Sequence, residues 1–357
     1  MSATTVTKRA AVIAGIAFMA ATANAQTVLF SDTFDTDSTA SWTVNSFVGG
    51  TTSSGGSAVN SANFYYDYST VGIPAAPNST GGSTRGLKLQ ANISGTGPTA
   101  GLPPGISVSP TGQSFTGDYS LRFDWWTNFI GGTTGGIGNT SGGSGSTQLS
   151  TFGILTSGTV ANYVGSSDGV FYGATPDGAS ASDYRAYSVT AQSGYATGTT
   201  GVNWQNTYAA GSQQNTNAYY ATPFPGGKTA PLFQQTNYSS TQTGTTVVGT
   251  PSFTWNDVLI QKSSGTITWT VNGTLLATTS TTGFATATKG NNILFGQADT
   301  SISAGTPAAT FQAVDFTLID NVRVLTAVPE PTTLGLLAAA AAGAMPLVRR
   351  IRRRRQD

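Results

Sequence analysis

The sequence predicts an all-β body, two antiparallel sheets packed as a sandwich, set between a cleaved N-terminal signal helix and a single C-terminal transmembrane helix. Three observations carry that expectation. Only 9% of the 357 residues are charged while 10% are aromatic, and 45 glycines punctuate a chain rich in Ser, Thr and Asn; strands joined by small polar loops have this composition. In Tyr119-Ser120-Leu121-Arg122-Phe123-Asp124-Trp125 the odd positions are apolar and the even ones polar, the period of a strand with one buried face, which needs a second sheet to cover it. Asn272-Gly273, between the alternating runs Thr266–Val271 and Thr274–Thr278, favours the left-handed angles of a two-residue type I′ hairpin turn.

The first element is an export signal over residues 1–25. Lys8 and Arg9 precede an uncharged run from Ala10 to Ala21, long enough for a signal-peptide core and too short to span a bilayer. Ala23-Asn24-Ala25 supplies the small residues where signal peptidase cuts, so the mature chain begins at Gln26.

The ectodomain, residues 26–327, follows as strand-like runs bounded by Gly, Asn and Ser: 27–34, 41–47, 86–93, 119–129, 149–155, 184–189, 255–261, 266–272, 292–295 and 314–325. No segment has helical length and period. Long polar inserts at 49–61, 131–147 and 191–248 read as decoration at the sandwich edges, since their composition offers little to cover a core.

The last thirty residues hold Val328-Pro329-Glu330-Pro331, an uncharged Leu/Ala-rich stretch over 332–348, and Arg349, Arg350, Arg352, Arg353, Arg354 and Arg355 in the basic tail 349–357. As a helix the stretch reaches about 25 Å, a thin bilayer crossing. Arginines concentrate on the cytoplasmic side, so the cluster stops transfer and leaves the ectodomain outside. These three parts, in this order at the C-terminus, resemble the PEP-CTERM sorting signal of Gram-negative bacteria that make exopolysaccharide. That resemblance implies a membrane protease partner, exosortase, that recognises the Pro-Glu-Pro element and removes the tail, and a destination in the cell envelope, at the outer surface or in the extracellular matrix.

A second resemblance runs through the body. Leu29–Phe34, Phe115–Trp125, Asp183–Tyr187, the Asn272-Gly273 hairpin and Phe316–Val324 are similar to the strand series of concanavalin-A-like (laminin-G-like) jelly-roll domains. It implies a two-sheet antiparallel jelly roll whose first and last strands pair.

Composition excludes much chemistry. With no cysteine there is no disulfide or thiolate; with no histidine there is no Ser-His-Asp triad and no imidazole ligand or base. Of 15 acidic and 16 basic residues, two acids (Glu330, Asp357) and eight bases (Lys8, Arg9 and the tail arginines) are terminal, so the ectodomain is net negative by five and disfavours nucleic acid. Gly165-Ser166-Ser167-Asp168-Gly169 fits a nucleophile-elbow pattern but lacks a base and a following helix, and reads as a turn. Glucan-cleaving enzymes of the jelly-roll type use Glu-x-Asp-x-Glu on one strand; here Glu330 is the only glutamate. No catalytic residue is therefore assigned.

Two binding features are open. Trp125 and Trp126 must face opposite sides of their strand, making one a candidate sugar platform, while Trp42, Trp255 and Trp269 are expected to fill the sandwich. Because related jelly rolls hold a structural calcium between their first and last strands, Asp32, Asp35 and Asp320 are candidate ligands, the alternative being solvated loop carboxylates. The combined expectation is a non-enzymatic surface or matrix protein, structural or weakly carbohydrate-binding, in contact with extracellular polysaccharide. The competing one is a secreted polysaccharide-degrading hydrolase or lyase using aspartates and tyrosines.

Overall fold

Fifteen strands carry the fold in the computed structural model, which describes residues 26–49, 59–93, 102–132, 136–138, 147–162, 168–187, 206–281, 290–300 and 309–326. In chain order they are β1 Val28–Asp32, β2 Trp42–Phe47, β3 Ser61–Asp67, β4 Arg85–Gln90, β5 Gly105–Pro110, β6 Tyr119–Asn128, β7 Gln148–Thr156, β8 Val170–Ala174, β9 Tyr184–Tyr187, β10 Asn206–Tyr208, β11 Asn256–Ser263, β12 Thr266–Val271, β13 Thr274–Ser280, β14 Asn292–Asp299 and β15 Phe316–Thr326. One sheet runs β10-β13-β12-β11-β6-β15-β4-β3, with β1 also on β15; the other runs β2-β5-β14-β7-β8-β9. Every pairing between these strands is antiparallel.

The core lies between the sheets. Leu121, Phe123 and Trp125 of β6 point inward, as the alternation requires, and meet Phe152 of β7 and Phe295 of β14. Trp269 of β12 stacks on Tyr172 of β8 at 5.1 Å. Trp42 of β2 packs on Phe34 and Phe64. With each buried large apolar side chain stabilising by roughly 1.5–3 kcal/mol, this aromatic layer supplies what disulfides cannot in a chain without cysteine.

The expected first-to-last pairing is present: Phe30 lies opposite Val324 and Asp32 opposite Val322. The expected hairpin is also present. Val271 pairs Thr274, and Asn272 and Gly273 adopt φ of 51° and 75°, the two positive angles that a type I′ turn demands. β3, β5, β8 and β10 were not expected from the sequence pattern.

Two expectations are corrected. The described parts of the polar inserts do not merely decorate edges: Tyr220 and Phe224 join the central core, and Ile137 and Ala230 join a second layer on the outer face of the nine-stranded sheet. Their scattered apolar residues, too sparse for a periodic pattern, join Tyr68, Val71, Ile73 and Phe253 in covering that sheet face. Trp255 belongs to that outer layer too, not to the sandwich interior; its ring meets Trp126 and Tyr68.

Residues Thr27–Ala327 form one compact unit. Ala23 and Ala25, the sorting residues Val328–Pro331, the stretch 332–348 and the terminal arginines lie outside the described residues. Among the described residues, no helix is long and apolar enough to cross a membrane.

Candidate functional site: a buried carboxylate pair under a surface strap

On β6 the side chains opposite the inward set, Arg122, Asp124 and Trp126, face outward, and β15 runs beside it. Register passes from Asp320↔Asp124 to Arg323↔Arg122, three steps on β15 against two on β6. The extra residue is a β-bulge. Ile319 and Val322 both point into the core, so Asp320 and Asn321 are left side by side on the outer face. Asn321 adopts φ of 53°, a left-handed angle that asparagine tolerates better than most side chains.

Over this spot lies a strap. Tyr68–Val71 forms a 3₁₀ turn begun by Asp67, whose Oδ1 accepts from Ser69 N at 3.1 Å, and ended by Gly72 at φ 77°. The chain then runs across the sheet to Ser83 and rejoins β4. Gly86 on β4 leaves room for the Tyr68 ring: a Cβ there would stand 3.2 Å from its Cε1 and 3.1 Å from Ile319 O.

The strap and the bulge together saturate two carboxylates. Asp124 Oδ1 accepts from Asn78 Nδ2 at 2.7 Å, and Oδ2 accepts from Asn321 Nδ2 at 2.8 Å and Asn78 N at 3.2 Å. Asp320 Oδ1 accepts from Asn321 N at 2.7 Å, and Oδ2 accepts from Tyr68 OH and Ser79 Oγ, each at 3.0 Å. Asn321 Nδ2 also donates to Ser79 Oγ at 3.2 Å. Both aspartates are 1% exposed. Burial first, with Asp124 adding to it, pushes the Asp320 carboxyl up to about 7 against the pull of Ser79 and Tyr68. Burial and Asp320 drive the Tyr68 phenol well above its ordinary value.

A carboxyl near neutrality beside a second carboxylate is the material of acid–base chemistry. Access is missing, because every donor comes from the protein itself and the pair is sealed. What the arrangement does is fasten the strap to the sheet. Asp124, Asn78, Ser79, Tyr68 and Asn321 were not assigned from the sequence; the one signal was a carboxylate on the polar, outward face of β6 together with an Asp-Asn pair in the last strand.

The sequence-assigned residues lie elsewhere or in other roles. Trp125 and Trp126 do face opposite sides, but neither is a platform: Trp125 is fully buried between the sheets and Trp126 is 3% exposed beneath the outer layer. Tyr68, Val71 and Ile73 at the start of the strap, with Phe253 and the insert residues Ile137 and Ala230, cover the face that periodicity alone would leave open. Asp32 accepts from Trp42 Nε1 at 2.7 Å and Phe34 N at 2.8 Å, while Asp320 is held by the strap. Among the described residues, no three carboxylates gather as metal ligands, and Asp32, Asp35 and Asp320 are not brought together. Asp168 accepts from Ser157 N at 3.0 Å, and Gly169 takes φ of 90°; the rest of the Gly-x-Ser-x-Gly match is outside the described residues.

A separate cleft of about 430 Å³ is lined by Gly178, Asn215, Asn217, Ala218 and Val248 among others. None of its lining residues is charged. Behind it Asp183 accepts from Asn215 N at 3.0 Å and is raised by burial.

No curated protein matches the chain. Solved structures with a similar layout include a Bacillus subtilis protein of unknown function with a galectin-like fold, at 10% identity and TM-score 0.36, covering 85% of this chain and 100% of that one. An endo-β-1,3-glucanase from Pyrococcus furiosus aligns at 12% identity and TM-score 0.35, covering 84% and 94%. A LamA variant from Z. galactanivorans in complex with laminaritriose and laminaritetraose aligns at 11% and 0.39, covering 84% and 99%. At these values they transfer no site and no activity. Residues 327–354 match the PEP-CTERM protein-sorting motif, which marks the chain as an exported, cell-envelope-associated protein recognised by exosortase.

Proposed function

We propose that this chain is a non-enzymatic structural protein of the extracellular polysaccharide layer, delivered by a cleaved signal peptide and processed at Pro329-Glu330-Pro331 by exosortase. The observation that carries the reading is the state of Asp124 and Asp320. They lie opposite each other on neighbouring strands, and their oxygens are taken by six hydrogen bonds from the protein's own groups. The absence of histidine and the placement of the only glutamate in the sorting motif support it. Weak sugar contact, in this reading, falls to exposed Tyr65 and the uncharged cleft, since Trp125 and Trp126 are buried.

The second reading is a polysaccharide-degrading hydrolase or lyase, favoured by the near-neutral Asp320 carboxyl beside Asp124 and Tyr68. A panel of bacterial and algal polysaccharides incubated with the purified protein separates the two. The structural reading expects no new reducing or unsaturated ends; release of products that Asp320→Asn abolishes would establish the enzyme instead.

A further inference from the structure

We propose that the Asp124–Asp320 pair is a proton-operated clamp on the strap 72–83: with one proton on the pair the strap is held to the outer face of the large sheet, and loss of that proton frees it. The geometry divides the donors in two. Asn321 belongs to the sheet and holds both carboxylates whatever the strap does. Asn78 N, Asn78 Nδ2 and Ser79 Oγ belong to the strap, and Tyr68 OH to the turn that starts it. Tyr68 OH also accepts from Ala76 N at 3.2 Å and lies 3.1 Å from Ser83 O; with the proton on Asp320 Oδ2, that carboxyl donates to the phenol oxygen and the phenol donates to Ser83 O, so the phenol is a second rivet between strap and pair.

Among the described residues, no positive charge balances the pair. The titratable groups that face Asp320 are Asp124 from β6 and Tyr68 from the 3₁₀ turn; the strap and Asn321 present neutral groups. Nearby cations are engaged elsewhere: Arg85 of β4 with Asp67 at 3.3 Å, Arg122 of β6 with Asp257 at 3.5 Å, and Lys88 with the Tyr66 and Phe316 rings and Gln312 O. Arg323 lies beyond the bulge, opposite Arg122. Two anions in register inside a dry site repel, and release of the strap, which admits water to both, relieves them. The Asp320 carboxyl, at about 7 when covered, returns to the ordinary carboxylate range when wetted. The covered state is therefore favoured at low pH and loses that advantage as pH rises through about 7.

Hydrogen exchange on the purified full chain tests this, following the Ala76, Asn78 and Ser79 amides after correction for intrinsic rates. Strap protection is expected to fall by up to about tenfold per unit between pH 5 and 7, to level off above, and to end well below that of the hairpin Thr266–Ser280. In Asp320→Asn the profile should be flat. If circular dichroism shows that variant unfolded, Asp124→Asn poses the same question from the other strand. Wild-type strap protection that is independent of pH, that tracks the hairpin value for value, or whose slope persists in a folded variant overturns the clamp.

Discussion

Replacing Phe152 by alanine removes the ring on which the two sheets meet. Phe152 is fully buried on the smaller sheet, and its ring lies 5.2 Å from Phe123, 5.2 Å from Trp125 and 5.8 Å from Trp269, all on the larger one. Phe→Ala in a core costs about 3–5 kcal/mol through lost transfer energy and the cavity left behind. The rigid ladders on both sides of Phe152 prevent collapse into the gap, which places the expected loss near the upper part of that range, ~4 kcal/mol. Against a total stability of about 5–15 kcal/mol, such a loss is plain in urea unfolding followed by far-UV circular dichroism. Phe233→Ala, at a side chain 44% exposed on the surface, is the control and should shift stability by no more than about 0.5 kcal/mol. A loss below about 1.5 kcal/mol at Phe152, with unchanged denaturant slope, would refute the sheet-on-sheet packing on which the core rests.

Asn321→Ala should destabilise by about 2–4 kcal/mol, because it places a Cβ-branched-free but still left-handed-averse residue at φ 53° and strips Asp124 of a buried donor; thermal melts read it. Asn272→Ala should cost about 2–3 kcal/mol, since it removes bonds to Pro223 O and Asn256 Oδ1 as well as the turn preference. Asn272→Gly, which keeps the turn angle, should cost less, and the difference separates angle from bonds. Stability of the wild type should decline from about pH 4 to about 7, by at most ~4 kcal/mol from the Asp320 carboxyl, and then flatten. The sign follows from a carboxyl that holds its proton more tightly folded than unfolded; Asp320→Asn should lose the Asp320 share of that slope in pH-resolved denaturant titrations and keep what the likewise raised Asp183 carboxyl adds.

Much of the frame was legible in the chain. The alternation in β6 told which residues face the core, Asn272-Gly273 fixed a turn by its backbone angles, and the first and last strands paired as the jelly-roll resemblance implies. β8 escaped because it is buried on both faces and its Val-Phe-Tyr-Gly-Ala run shows no alternation; β5 alternates over only four residues, Ile106-Ser107-Val108-Ser109, between prolines, and β10 is too short for any period. The site was hidden for a different reason. Asp124 and Asp320 are 196 positions apart and meet Asn78 and Ser79 only once β6 and β15 are neighbours. The bulge that turns Asn321 to the same face as Asp320 has no period to betray it. Neither tryptophan is a platform because cover comes from sparse apolar residues between the strands, Tyr68, Ile73, Ile137, Ala230 and Phe253 among them, which composition averages away.

Carboxylate labelling with a water-soluble carbodiimide and an amine, read by peptide mass spectrometry at about pH 5, addresses the sealed pair most directly. Asp118 and Asp257, with side chains 42% and 43% exposed, should be modified readily, while Asp124 and Asp320 stay unmodified until the protein is unfolded. Labelling of either buried aspartate at the rate of the exposed ones would mean that the strap does not close the site, and the structural reading would give way to one with an open carboxylate pair.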